Sequence, residues 1–85
     1  MKVKIRLKSG GKIELAVLDL SPIGCMLDRR GWSAHVDERV LLQFDGLGSQ
    51  PGKVLWVEGD NAGIEFEELF HEAVLERLKS ELAGT

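Results

Sequence analysis

Three groups of residues have the types and spacing to do chemistry. The first is Asp19-Leu20-Ser21-Pro22-Ile23-Gly24. Asp and Ser two apart at a strand end place a carboxylate and a hydroxyl on one face. There they can accept and donate hydrogen bonds, while Gly24 lets a ligand or another backbone come close. The same residues also make an ordinary turn, an Asx or Ser cap ahead of Pro-x-Gly. The second group is the row Lys2, Lys4, Arg6 and Lys8. Cations on one strand face could hold phosphates. Equally, they describe a solvated strand whose lysines discourage edge pairing, with Glu14 neutralising part of the row. The negative net charge of the chain favours the second description. The third group, Arg29-Arg30, could form an anion fork or be plain surface beside the Gly31 turn.

Catalysis finds little support. His35 and His71 are the only histidines, and no motif ties Cys25 to either. No His/Cys cluster has metal-ligand spacing, and no Gly-rich loop follows the Walker or dinucleotide pattern. Gly46-Leu47-Gly48 is a pair of glycines in a polar loop. Asp60, Glu65, Glu67 and Glu68 fall where strand ends and turns normally carry solvated charge. Cys25, on an apolar strand, is expected to behave as a small hydrophobe. The chain therefore reads as a binding protein, with no metal or other cofactor expected.

Composition narrows the partners. A formal net charge of -3 over 85 residues argues against a nucleic-acid polymer, whose binding draws on a broad cationic surface. A small anionic ligand held by a few local cations remains compatible. One cysteine permits no internal disulfide, which fits a reducing compartment. The apolar runs are too short to span a membrane, and Met1-Lys2-Val3-Lys4 does not lead into a signal-peptide core. The expectation is a cytoplasmic protein of one domain, residues 1–85, with no membrane attachment.

Periodicity supplies the elements. Val3, Ile5 and Leu7 alternate with the cationic row, a half-buried strand. Gly10-Gly11 breaks it, and Ile13, Leu15 and Val17 resume the alternation. A two-residue turn at Gly10-Gly11 would mix the faces. A three-residue loop centred on Gly10 or Gly11, with a left-handed glycine, keeps apolar beside apolar. Centred on Gly10, it pairs Ile5 with Leu15 and Arg6 with Glu14. Short strands follow at Cys25–Leu27, Arg39–Phe44, Lys53–Glu58 and Gly63–Glu67. Residues 32–37 read as a loop, Asp45 to Gly52 as a flexible connection, and Gly59-Asp60-Asn61-Ala62 as a hairpin turn. Trp56 alternates within its strand and is assigned to the core. Trp32, in a loop, is the candidate for an exposed contact. From Phe70 the period lengthens: Phe70, Val74, Leu75, Leu78 and Leu82 form one stripe of an amphipathic helix. The fold class is mainly β, six short strands closed by one C-terminal helix.

Asp19-Leu20-Ser21-Pro22-Ile23-Gly24-Cys25-Met26-Leu27 resembles the D/N-x-S-x-x-G segment and following strand of PilZ domains. Gly52-Lys53-Val54-Leu55-Trp56-Val57, Ala62-Gly63-Ile64-Glu65-Phe66 and the closing helix are similar to that family's late strand pair and helix. The resemblance implies a six-stranded antiparallel β-barrel and a bacterial signalling role. PilZ domains are known as receptors for cyclic di-GMP, so Asp19, Ser21 and Gly24 would contact a guanine and its neighbouring phosphate and sugar. The family's R-x-x-x-R segment, which clamps phosphates and stacks on guanine, has no counterpart: Arg6 is the only Arg ahead of Asp19. Losing two charge-assisted contacts costs about 1.5–3 kcal/mol each, several decades of affinity. The resemblance then points to the family's adaptors, which act through a signalling, motility or pilus-related protein and bind cyclic di-GMP weakly or not at all. The alternative is a genuine cyclic di-GMP receptor in which Arg6 and its lysine row, or Arg29 and Arg30, replace the missing motif. A small RNA-binding barrel is a third reading.

Overall fold

The computed structural model describes the backbone of residues 1–84 and side chains as far as Leu82. Six strands, β1 (Lys2–Leu7), β2 (Lys12–Ser21), β3 (Gly24–Asp28), β4 (Arg39–Gln43), β5 (Ser49–Glu58) and β6 (Asn61–Phe66), precede one helix, α1 (Glu72–Gly84). All neighbouring strands are antiparallel, and the sheet closes on itself in the order β1-β2-β3-β6-β5-β4. Closure gives every strand a neighbour on both sides.

The alternation in β1 is honoured. Val3 and Ile5 are buried while Lys2, Lys4 and Arg6 face out. The loop to β2 has three residues between Leu7 and Gly11, Lys8-Ser9-Gly10, with Gly10 at a φ of 95°. Its centre is Ser9, however, so Ile5 pairs with Ile13, Lys4 with Glu14 and Arg6 with Lys12. The expected pairing was two residues off. Leu7 accepts the Gly10 N–H at 2.9 Å and donates to Gly11 at 2.8 Å, a turn followed by a left-handed glycine bulge. The apolar face survives either register, which is why the pattern alone did not separate them.

Two bulges decide what faces outward around the motif. Along β2, Val17 points inward, so strict alternation would bury Asp19 with it. The register shifts between Val17 and Asp19, which makes Leu18 the extra residue, turns Asp19 outward and returns Leu20 to the core. The register of β5 shifts in the same way between Val54 and Trp56. Leu55 becomes the extra residue, and the expected core position of Trp56 is lost. Trp56 is only half-buried and lies on the outer face across Gly63, where a Cβ would land on the indole nitrogen.

The two ends of the barrel are closed differently. At one end the 29–38 loop folds inward. Trp32 is buried there, its N–H donating to the Arg29 carbonyl at 2.8 Å, so the expected exposed tryptophan is a cap. At the other end α1 packs Leu75 and Leu78 into the core. His71 caps the helix, its Nδ1 accepting from Ala73 N–H at 3.2 Å. Phe70 precedes the helix and packs edge-on against Phe44 and at a tilt against Phe66, with ring centroids 5.5 and 4.6 Å apart. Two connections are tighter than expected. Only Gly59 and Asp60 join β5 to β6, with Gly59 at a φ of 56°. Residues 49–52, expected in a flexible connection, already belong to β5. Pro51 there lacks a donor, but its carbonyl accepts from Glu67 N–H at 3.0 Å.

Candidate functional site

Ser21 and Gly24 face each other across a two-residue turn, Pro22-Ile23, that joins β2 to β3. The Ser21 hydroxyl is engaged within that turn. It donates to the Gly24 carbonyl at 3.2 Å and accepts from Ile23 N–H at 3.4 Å. Asp19 Oδ1 accepts from Leu20 N–H at 2.9 Å, and the rest of its carboxylate faces solvent. Gly24 is buried against β6, where a Cβ would fall on the Ile64 carbonyl oxygen and lie 3.2 Å from its carbon. The close approach that glycine permits here is made by the protein's own backbone.

Beside this turn a groove of about 250 Å³ runs over the outer wall. Asp19, Ser21, Ile23, Met26, Leu55, Trp56, Gly63 and Glu65 are among its lining residues. Register explains the grouping, because Asp19, Met26, Gly63 and Trp56 form one row across β2, β3, β6 and β5, and Ser21, Gly24, Glu65 and Lys53 form the next. The groove contains two carboxylates and no Lys or Arg. Its rim is apolar: Ile23 is 62% exposed and Leu55 52% exposed. Sequence reasoning did not find Met26, Leu55, Trp56, Gly63 or Glu65 as part of this surface. The available signal was the apolar run Val54-Leu55-Trp56-Val57, too continuous for a strand exposed on one side.

The other candidates lie elsewhere. Arg6 sits opposite Lys12, at the far end of β2 and about 20 Å along the strand from Asp19. Arg29 and Arg30 follow Asp28, at the end of β3 remote from Gly24. Arg29 Nη1 donates to the Trp32 carbonyl at 3.3 Å. Arg30 grips Asp28, with Nε 3.0 and 2.9 Å from the two carboxylate oxygens and Nη2 2.6 Å from Oδ2. These bonds hold the Asp28 carboxyl below its ordinary range. Both arginines therefore have local partners. The structure brings Asp19, Ser21 and Gly24 together and leaves Arg6, Arg29 and Arg30 apart from them. Among the described residues no three His, Cys, Asp or Glu side chains gather as metal ligands would. No helix among the described residues is long and apolar enough to cross a membrane.

Cys25 points inward from β3, and burial pushes its thiol up to about 12 from an ordinary 9.0. Its folded pKa is raised, so the native state keeps the proton where the unfolded chain releases it. The stabilisation is present below about pH 9 and declines as pH rises toward 12. Urea midpoints measured between those limits are expected to fall, this thiol contributing up to about 1.4 kcal/mol per pH unit. Cys25→Val removes that component; equal pH slopes in the two proteins would contradict the assignment.

Searches of curated proteins and of solved structures gave no match. The sequence model of the PilZ domain matches residues 1–84. With that match, a closed six-stranded antiparallel barrel and one C-terminal helix, the chain belongs to the PilZ domain family.

Proposed function

We propose that this PilZ domain is a non-catalytic cytoplasmic signalling adaptor that works through a protein partner and binds cyclic di-GMP weakly or not at all. The charge of the motif groove carries the reading. Cyclic di-GMP brings two phosphodiester charges, and the groove lining meets them with Asp19 and Glu65 and no cation, the neighbouring Lys53 opposite Glu65 being drawn to Asp37 at 3.9 Å. The like charges repel, and no guanidinium is present to form the fork that makes phosphate recognition strong. At about 1.5–3 kcal/mol for each missing charge-assisted contact, two of them move a micromolar site into the millimolar range. The substitutes proposed from sequence, Arg6, Arg29 and Arg30, act elsewhere on the barrel.

What the groove does offer suits a protein. Ile23 and Leu55 are exposed, and Trp56 and Met26 are half-buried beside them. Aromatic and Met side chains are enriched at interface cores, where apolar area and a satisfied polar rim supply affinity.

Calorimetry with cyclic di-GMP tests the proposal. The expected result is no saturable heat with a Kd tighter than about 100 μM, for the parent protein and for Ser21→Ala alike. Micromolar binding that Ser21→Ala abolishes would overturn the adaptor reading in favour of a receptor.

A further inference from the structure

The cationic row on β1 has lost its simplest explanation. Lysines on an exposed strand commonly guard an unpaired edge, but Lys4 and Arg6 lie where β1 is paired on both sides. It pairs with β2 on one side, Arg6 opposite Lys12, and with β4 on the other, Arg6 opposite Leu41 and Lys4 opposite Gln43. Arg6 and Lys12 are like charges placed directly across the ladder, an arrangement that destabilises a sheet. Lys2 has an acidic partner, Glu14 at 3.9 Å. Among the described residues Lys4, Arg6, Lys8 and Lys12 form no ion pair. Five of the 11 basic side chains fall within the first 12 residues, where no acid occurs, in a chain of net charge -3. The positive charge is thus concentrated on one face of an acidic protein, where Glu14, opposite Lys4, offsets only part of it.

The surface has a definite shape. A groove of about 380 Å³ is lined by Lys4, Arg6 and Lys12 together with Ile13, Glu14 and Leu41. No aromatic ring lines it, so nothing there can stack on a nucleobase. The outward residues of β1 recur every second position, about 6.7 Å apart. Alternate side chains of an extended peptide have the same repeat. Because Lys4 and Arg6 are paired on both sides, a peptide lying over them finds no free backbone ladder to join and must be held by side chains. Around the ring, β1 lies three places from β6 in either direction, opposite the strand at the centre of the motif groove.

We propose that the outer face of β4-β1-β2 docks an extended acidic segment of a partner protein. Two alternate carboxylates meet Lys4 and Arg6, the second shared with Lys12 across the ladder from Arg6, and an apolar side chain lies over Leu41. The proposal rests on the reading of this domain as a protein-binding adaptor and gives it a second contact face, across the barrel from the motif.

A fluorescein-labelled 12-residue peptide alternating Glu and Thr, with one central Leu, is the probe. Fluorescence anisotropy is expected to show saturable binding that weakens at least tenfold between low and physiological salt, as partly exposed charges are screened. The combined variant Lys4→Gln, Arg6→Gln, Lys12→Gln is expected to lose at least tenfold in affinity. Arg6→Gln alone is expected to melt about 1–6 °C higher, because the Arg6–Lys12 repulsion is gone while Lys4 keeps Glu14 opposite it. Arg29→Gln with Arg30→Gln should leave peptide binding within twofold of the parent. No binding by the parent protein, or full binding by the triple variant, overturns the proposal. So does tighter binding of a single-stranded oligonucleotide of equal charge, which would make the face a nucleic-acid surface. Cyclic di-GMP titration reads separately, so failure of the peptide and failure of the adaptor reading are told apart.

Discussion

Gly24→Ala is expected to destabilise the barrel by about 3 kcal/mol or more, with no ligand involved. The added methyl would fall on the Ile64 carbonyl oxygen, a backbone atom of the neighbouring strand. A flexible side chain could swing aside; this carbonyl is held by the ladder that pairs Gly24 with Glu65 and Cys25 with Ile64. Relief therefore requires β3 and β6 to separate where Phe66 N–H also donates to the Ile23 carbonyl at 2.8 Å. For a domain of this size total stability is about 5–15 kcal/mol, so the loss is a large fraction. Gly48→Ala provides the comparison, since a Cβ there meets open space at an ordinary φ, and its cost should stay below about 0.5 kcal/mol. Urea denaturation reads both. A Gly24→Ala protein as stable as Gly48→Ala would mean that this glycine is kept for something other than the barrel wall.

Leu78→Ala should cost about 2–5 kcal/mol. The side chain is 0% exposed and, with Leu75, joins α1 to the barrel core. A helix of 13 residues is marginal on its own in water, so its stability comes from this contact. Truncating Leu78 leaves a cavity beneath the helix, next to the end of the barrel where Phe44, Phe66 and Phe70 pack. Glu76→Ala, on the exposed face, is the control and should change stability by less than about 0.5 kcal/mol. If Leu78→Ala also costs less than about 1 kcal/mol, the helix is not the plug that its burial indicates.

Much of this architecture was legible in the residues. Val3 and Ile5 alternating with Lys4 and Arg6 identified a strand with one buried face, and the spacing of Val74, Leu75 and Leu78 identified the helix. The errors share a cause: alternation fixes faces but carries no record of an inserted residue. Leu18 and Leu55 look like ordinary members of apolar runs, yet each is a bulge that reverses the phase of the rest of its strand. That reversal put Asp19 on the surface and took Trp56 out of the core. Trp32 was misplaced for another reason, since a loop folded over the end of a barrel has no periodicity to reveal it. The Asp19–Gly24 segment was readable as a motif. The groove beside it was not, because Glu65, Trp56 and Gly63 arrive from strands some 30 to 45 residues away in sequence and only the closed sheet brings them together.

The central claim is that the motif groove lacks the positive charge a cyclic dinucleotide needs. Two-dimensional amide NMR during a cyclic di-GMP titration tests it at the atoms concerned. The expected spectrum shows no saturable shift at the amides of Ser21, Gly24 and Gly63 or at the Trp56 indole N–H. Saturable shifts confined to those resonances, with a Kd in the micromolar range, would contradict it.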